Sequence, residues 1–197
     1  DPFGVFWIKG AGAGITDMYE TFFGTDVLPP ITLLLSGEFA LFSQISARAD
    51  IGISMQGLSG YMRDLSVAGV TIIDSLGGHV YWYPKLSVSF AIRVDILDCI
   101  VGEGGIVLEE TDNGLYFCAY ANATVKIPDY IWFIGGTKIG SASVGISTEK
   151  VWASVKVIGV AVGIRYYWGG SVKVDVGESY EVPTPLPEND KNNPKQM

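Results

Sequence analysis

The chain has 197 residues, of which 48% are apolar and only 17% charged, and its mean hydropathy is +0.31. Its net charge of −8 leaves no basic patch to neutralise phosphates, which argues against nucleic acid and against an anionic membrane surface as partners. The longest run without a charged residue, 113–125, is too short and too polar for a spanning helix, whereas the short alternating strands of a membrane β-barrel escape that test.

Asp1 opens the chain without an initiator Met or a signal peptide, so a processed chain or an excised fragment is expected. The first segment contains "GAGAG" at 10–14. It lacks both the G-x-G-x-x-G spacing and the Lys-Ser/Thr of a phosphate loop, and in a strand it gives a flat face open to close approach. A short helix is expected near 15–23, and "LPP" at 28–30 ends the opening segment. "ITLLLSGEFALF" at 31–42 is apolar on both faces, which suits a central, twice-covered strand. "IGISM" at 51–55 alternates, and "SLGG" at 75–78 reads as a joint.

"LSVSFAIRVDI" at 86–96 is a long half-buried strand, with Leu86, Val88, Phe90, Ile92, Val94 and Ile96 on one face and Ser87, Ser89, Ala91, Arg93 and Asp95 on the other. "GEGG" at 102–105 reads as a further joint, and "TDNG" at 111–114 carries the Asn-Gly pair of a tight hairpin. "IPDY" at 127–130, "IGG" at 134–136 and "STEK" at 147–150 mark later breaks. "ASVGI" at 142–146 and "ASVKV" at 153–157 echo one another, too faintly to define a repeat architecture.

In "VWASVKVIGVAVGIRYYWGG", 151–170, Val151, Ala153, Val155 and Val157 share a face. From Ile158 the large apolar residues move to even numbers, leaving Ala161, Gly163, Arg165 and Tyr167 opposite. A one-residue slip sends every side chain to the other face, so a joint is required near Ile158–Gly159, and a bulge is expected there. "SVKVDVG" at 171–177 is the last alternating run. The segment 181–197, with Pro183, Pro185 and Pro187, reads as a polar tail or docking arm attached to a single β-rich domain at 1–180.

Signals for chemistry are sparse. His79 is the lone histidine, expected at a strand start after a turn, so a Ser-His-Asp or Cys-His arrangement would have to pass through it. Cys99 and Cys118 allow one disulfide at most and otherwise read as buried thiols. With His79 they do not make a zinc pattern. Asp95 with Asp98, and Glu109 with Glu110 and Asp112, are close acidic groups of the kind that could do acid–base or calcium chemistry, but turn carboxylates are ordinarily just solvated. "NAT" at 122–124 is a formal glycosylation sequon. Aromatic clusters lie near strand ends: Trp82 and Tyr83, Trp132, and Tyr166, Tyr167 and Trp168. They can serve as core plugs, as a membrane girdle or as a contact surface.

The expectation is therefore an all-β antiparallel meander forming a sandwich or a closed barrel, with at most one short helix near 15–23. The function expected is a non-catalytic extracellular or cell-surface structural module, a β-sandwich that self-associates into an oligomer, particle or filament by strand addition. Its partners would be copies of itself or other surface proteins, without a cofactor or a metal. Two alternatives stand beside it. One is a barrel or curved sheet that binds lipid or an apolar ligand, with Val88, Phe90, Ile92, Val94 and Ile96 lining the cavity. The other is an outer-membrane β-barrel, which keeps the membrane open as a partner.

Overall fold

The computed structural model describes residues 6–24, 27–42, 44–97 and 99–177; the tail at 181–197 lies outside them. The chain is all-β. β1 (Phe6–Thr16) is followed by the short helix α1 (Met18–Phe23), within the span expected for it. Then come β2 (Thr32–Leu41), β3 (Ile45–Ser54), β4 (Gly57–Val67), β5 (Val70–Tyr81), β6 (Ser87–Ile96) and β7 (Ile100–Thr111). β8 (Gly114–Lys126), β9 (Lys138–Ser147), β10 (Lys150–Val157), β11 (Val160–Tyr167) and β12 (Val172–Val176) complete it.

All twelve strands form one sheet in chain order, each antiparallel to its sequence neighbour. Neither the sandwich nor the closed barrel expected from the sequence is present. Extensive contacts join only consecutive strands, and β1 and β12 each have a single strand partner among the described residues. Seven of the eleven connections are two- or three-residue turns, and these can only return the chain beside the strand it left.

Three sequence expectations change. The glycines of "SLGG" and "GEGG" do not break the chain: Gly77 and Gly78 lie inside β5, and Gly102, Gly104 and Gly105 inside β7. Gly77 is needed there because a Cβ would run into the Tyr61 ring on β4. β2 is not a twice-covered central strand; it is next to the edge, and Leu33 and Leu35 are exposed. The joint at Ile158–Gly159 is a two-residue turn rather than a bulge. Val157 pairs with Val160, and Ile158 and Gly159 have φ of 45° and 86°, the left-handed pair of a type I′ hairpin.

Candidate functional site: a two-faced sheet

Directly paired residues on antiparallel strands project to the same side, so the registers assign each face across the whole sheet. One ladder runs Gly12–Ser36–Asp50–Tyr61–Gly77–Ala91–Gly105–Tyr120–Gly145–Trp152–Arg165–Lys173. The adjacent ladder runs Ala11–Gly37–Ala49–Met62–Leu76–Ile92–Gly104–Ala121–Val144–Ala153–Ile164–Val174. Apart from Ala91, the first is polar, aromatic or glycine; the second contains no polar side chain. The alternation persists outward from both, so one face is polar and the other apolar.

The polar face is the more closely packed. Cys118, Tyr120, Trp152 and Val107 make its buried cluster, and Ala91 and Ala161 are buried on it too. Ion pairs cross it from strand to strand. Arg63 binds Asp50 at 2.8 Å, Arg93 reaches Asp74 at 3.1 Å and Glu103 at 3.2 Å, and Arg165 holds Asp175 at 2.7 Å. Glu38 lies 3.7 Å from both Lys9 and Arg48. His79, expected at a strand start, sits near the end of β5 on this face. Its Nε2 is 2.9 Å from Ser87 Oγ and its Nδ1 2.9 Å from Ser89 Oγ. Both ring nitrogens thus meet hydroxyls, and among the described residues no carboxylate is bonded to the ring.

No described residue covers the apolar face. Phe90, Ile106, Val144, Val155, Val162 and Ile164 are each about half exposed. Of the charged residues in register pairs from β2 to β12, only Glu110, opposite Leu115 beside the β7–β8 turn, shares this face. A shallow apolar groove of about 670 Å³ lies where Gly60 and Gly78 pair, between Ile51 and Phe90. The β6 residues Val88, Phe90, Ile92, Val94 and Ile96, expected to line a cavity, share the apolar face; Phe90 is 49% and Ile96 46% exposed, and the other three are half-buried.

The other sequence candidates fall in separate places. Cys99 and Cys118 are both free, one in the β6–β7 turn and the other buried on β8. Glu109 and Glu110 point to opposite faces, and Asp112 pairs with Lys85. No group of metal-binding side chains occurs among the described residues. Asn122 of the sequon is in β8, opposite Glu103 on the polar face.

Most of the singled-out aromatics gather at one end of the sheet. Trp82 Nε1 donates to the Met55 carbonyl at 2.8 Å, Tyr83 Oη accepts from the Val27 N–H at 3.0 Å, and Trp168 Nε1 donates to the Ser147 carbonyl at 2.8 Å. Tyr166 meets Trp168 edge-on at 5.9 Å on the apolar side, while Tyr167 turns to the polar face beneath Lys150. Trp132 lies at the opposite end, 83% exposed and against Phe133. The strand-crossing ion pairs were not anticipated. Their signal was in the sequence, since each partner occupies a polar position of an alternating run.

No helix among the described residues is long and apolar enough to cross a membrane. No family model matches this sequence, and neither a curated protein nor a solved structure matches it.

Proposed function

We propose that the chain forms the wall of a membrane β-barrel in a cell envelope, with its apolar face against lipid and its polar face lining the interior. The observation that carries this is the segregation of charge. Across twelve strands the paired charged residues lie on one face, with Glu110 at a strand end as the single exception. A sheet whose apolar face meets water forgoes about 1.5–3 kcal/mol for each large side chain left uncovered, so such a face requires a cover. Lipid covers a wide face without a second layer. Ten-residue strands, about 33 Å long and tilted near 40°, would span about 25 Å, the height of the apolar band of such barrels. The Trp and Tyr residues at one end, with their polar atoms bonded to backbone, fit an interfacial belt.

The unpaired edges β1 and β12 favour self-association as a second element of the function. Hydrocarbon tolerates no open sheet edge, so in a bilayer both edges must be paired. With an even number of strands they run antiparallel to one another, and either mutual pairing or a strand added from another copy continues the pattern. The apolar-ligand carrier is less well supported, because the open sheet offers only a shallow groove on its apolar face among the described residues.

The test is refolding into phosphatidylcholine vesicles, with Cys99→Ser and Cys118→Ala, of a chain carrying an environment-sensitive fluorophore at Ile164→Cys or at Ser36→Cys, the latter exposed on the polar face. A lipid-like signal at Ile164 and an aqueous one at Ser36 are expected. A folded monomer in buffer without detergent or lipid would overturn the proposal.

A further inference from the structure

The two ends of the sheet differ. At one end lie the β2–β3, β4–β5, β6–β7, β8–β9 and β10–β11 connections. Each carries an apolar residue with a left-handed backbone: Phe42 (φ 52°), Ala68 (53°), Leu97 (52°), Phe133 (71°) and Ile158 (45°). All are exposed, Phe133 at 87%, Ile158 at 80%, Leu97 at 65% and Phe42 at 59%. A bulky or β-branched residue with positive φ is strained, by about 1–2 kcal/mol, and an exposed apolar tip adds a hydration cost. Polar Asn or Asp would remove both penalties at such a turn. At the other end the two-residue turns are Met55-Gln56, Asp112-Asn113 and Thr148-Glu149, and none of these has a non-glycine residue with positive φ. Apolar residues at that end include Trp82 and Trp168, with bonded indole N–H groups, the exposed Met55, Val27 and Leu115, and Phe22 and Phe23 of α1 in the long β1–β2 connection, so the ends differ in the left-handed backbone of their apolar turn residues rather than in apolar content alone.

We infer that the row of apolar turn tips is seated at the boundary between the headgroups and the acyl chains of a lipid bilayer, which makes it the membrane-facing rim of the sheet. This rests on the reading of the apolar face as lipid-facing, and it adds which end goes into the membrane. Three observations select lipid over a protein partner. The tips are continuous with the apolar face, since Val157 and Val160 flank Ile158, and Ile96 and Ile100 flank Leu97, all outward. They stand on separate hairpins, about 10 Å apart along the rim, so a fluid layer can receive them where a rigid surface would need a matching row of pockets. Lys138 and Lys156 are exposed at the same end on the polar face, where lipid phosphates would meet them, while Lys126 lies 3.7 Å from Asp129 and the acidic Asp64, Asp74 and Asp95 lie farther along the rim.

The experiment uses the full chain with Cys99→Ser and Cys118→Ala, carrying the same fluorophore at Leu97→Cys, Ile158→Cys, Asn113→Cys or Ile164→Cys, in phosphatidylcholine vesicles. Quenching at Leu97 and Ile158 by bromine on the lipid chains, with quenching at Asn113 by aqueous iodide, is the expected result. Iodide reaching Leu97 and Ile158 as readily as Asn113 overturns the inference. If Ile164 is then still quenched by lipid, the membrane-wall reading stands without the rim. If the tips are in lipid and Ile164 is in water, the rim stands as an anchor and the wall reading fails. Should the cysteine-free background not fold, Ile158→Asp with Phe133→Asp in the native background serves instead. Each change is expected to weaken vesicle binding about tenfold, while Thr148→Asp leaves it unchanged; equal binding by all three overturns the rim.

Discussion

Trp152 on β10 lies across Gly145 on β9, its ring filling the place a Cβ at Gly145 would occupy, with Nε1 3.4 Å from Ser143 Oγ. Tyr61 on β4 covers Gly77 on β5 in the same way, five strands away. A single-layer sheet has no opposing layer to hold a large ring, so the ring packs down on its own sheet, and the neighbouring glycine makes the room. Gly145→Ala is therefore expected to cost about 1–3 kcal/mol by overpacking. In a Trp152→Ala background the same change should cost much less, because the obstruction is gone. Denaturant midpoints of the four proteins of this double-mutant cycle, read in detergent, check it; additive effects would show that the ring is not seated on Gly145.

The two faces make opposite demands on a new charge. Ile164→Lys on the apolar face should cost about 2–4 kcal/mol of folding free energy in vesicles, as a lysine does near a bilayer midplane. Ser36→Lys, at an exposed position on the polar face of β2 opposite Asp50, should cost under about 1 kcal/mol. Equilibrium folding into phosphatidylcholine vesicles measures both. Equal costs would mean that the apolar face does not meet lipid.

At the β10–β11 turn, Ile158→Asn restores the Asn-Gly pair that a type I′ turn favours. Relief of the positive-φ strain should strengthen the hairpin by about 1 kcal/mol, seen as slower amide exchange in Val157 and Val160. The same change removes an apolar tip, so vesicle binding should fall. The opposite signs separate local backbone strain from membrane contact, and a loss on both readouts would place the role of Ile158 in packing.

That turn also shows what the sequence disclosed. With a two-residue turn the paired positions have opposite parity, as Val157 and Val160 do; with three residues parity is kept, as at Ile96 and Ile100. The shift of step after Val157 was thus a turn-length signal, and it read as a bulge because Ile158 is a poor turn former. Period-two alternation disclosed the all-β class and most strands. It could not disclose that the sheet stays a single layer, because the same alternation builds sandwiches and barrels. Nor could it assign the exposed side: apolar faces such as Val88 to Ile96 read as interior, since covering them is what most folds do. The glycines at 77–78 and 102–105 misled for a related reason. Their purpose depends on the residue across the strand, and only the register supplies it.

β12 is the shortest strand and an edge, with β11 as its single strand partner among the described residues. Its attachment relies on five paired positions and on Arg165, whose Nε and Nη2 both donate to Asp175 Oδ2, at 3.2 and 2.7 Å. The two side chains are only 22% and 27% exposed, so the pair is screened less than one on an open surface. Asp175→Asn keeps the shape and removes the charge. It should lower the stability of the β11–β12 pairing by about 1 kcal/mol, less in high salt than in low. Because β12 contacts nothing else extensively, the loss should stay local: amide exchange quickens in Val172–Val176 while the β6–β8 amides are unchanged. Arg165→Ala should give the same pattern, and the double variant no more than the larger single effect. If the changes instead loosen the whole sheet, β12 is paired on its far side too, by β1 or by another copy, and its exchange in vesicles should then be slower than in detergent.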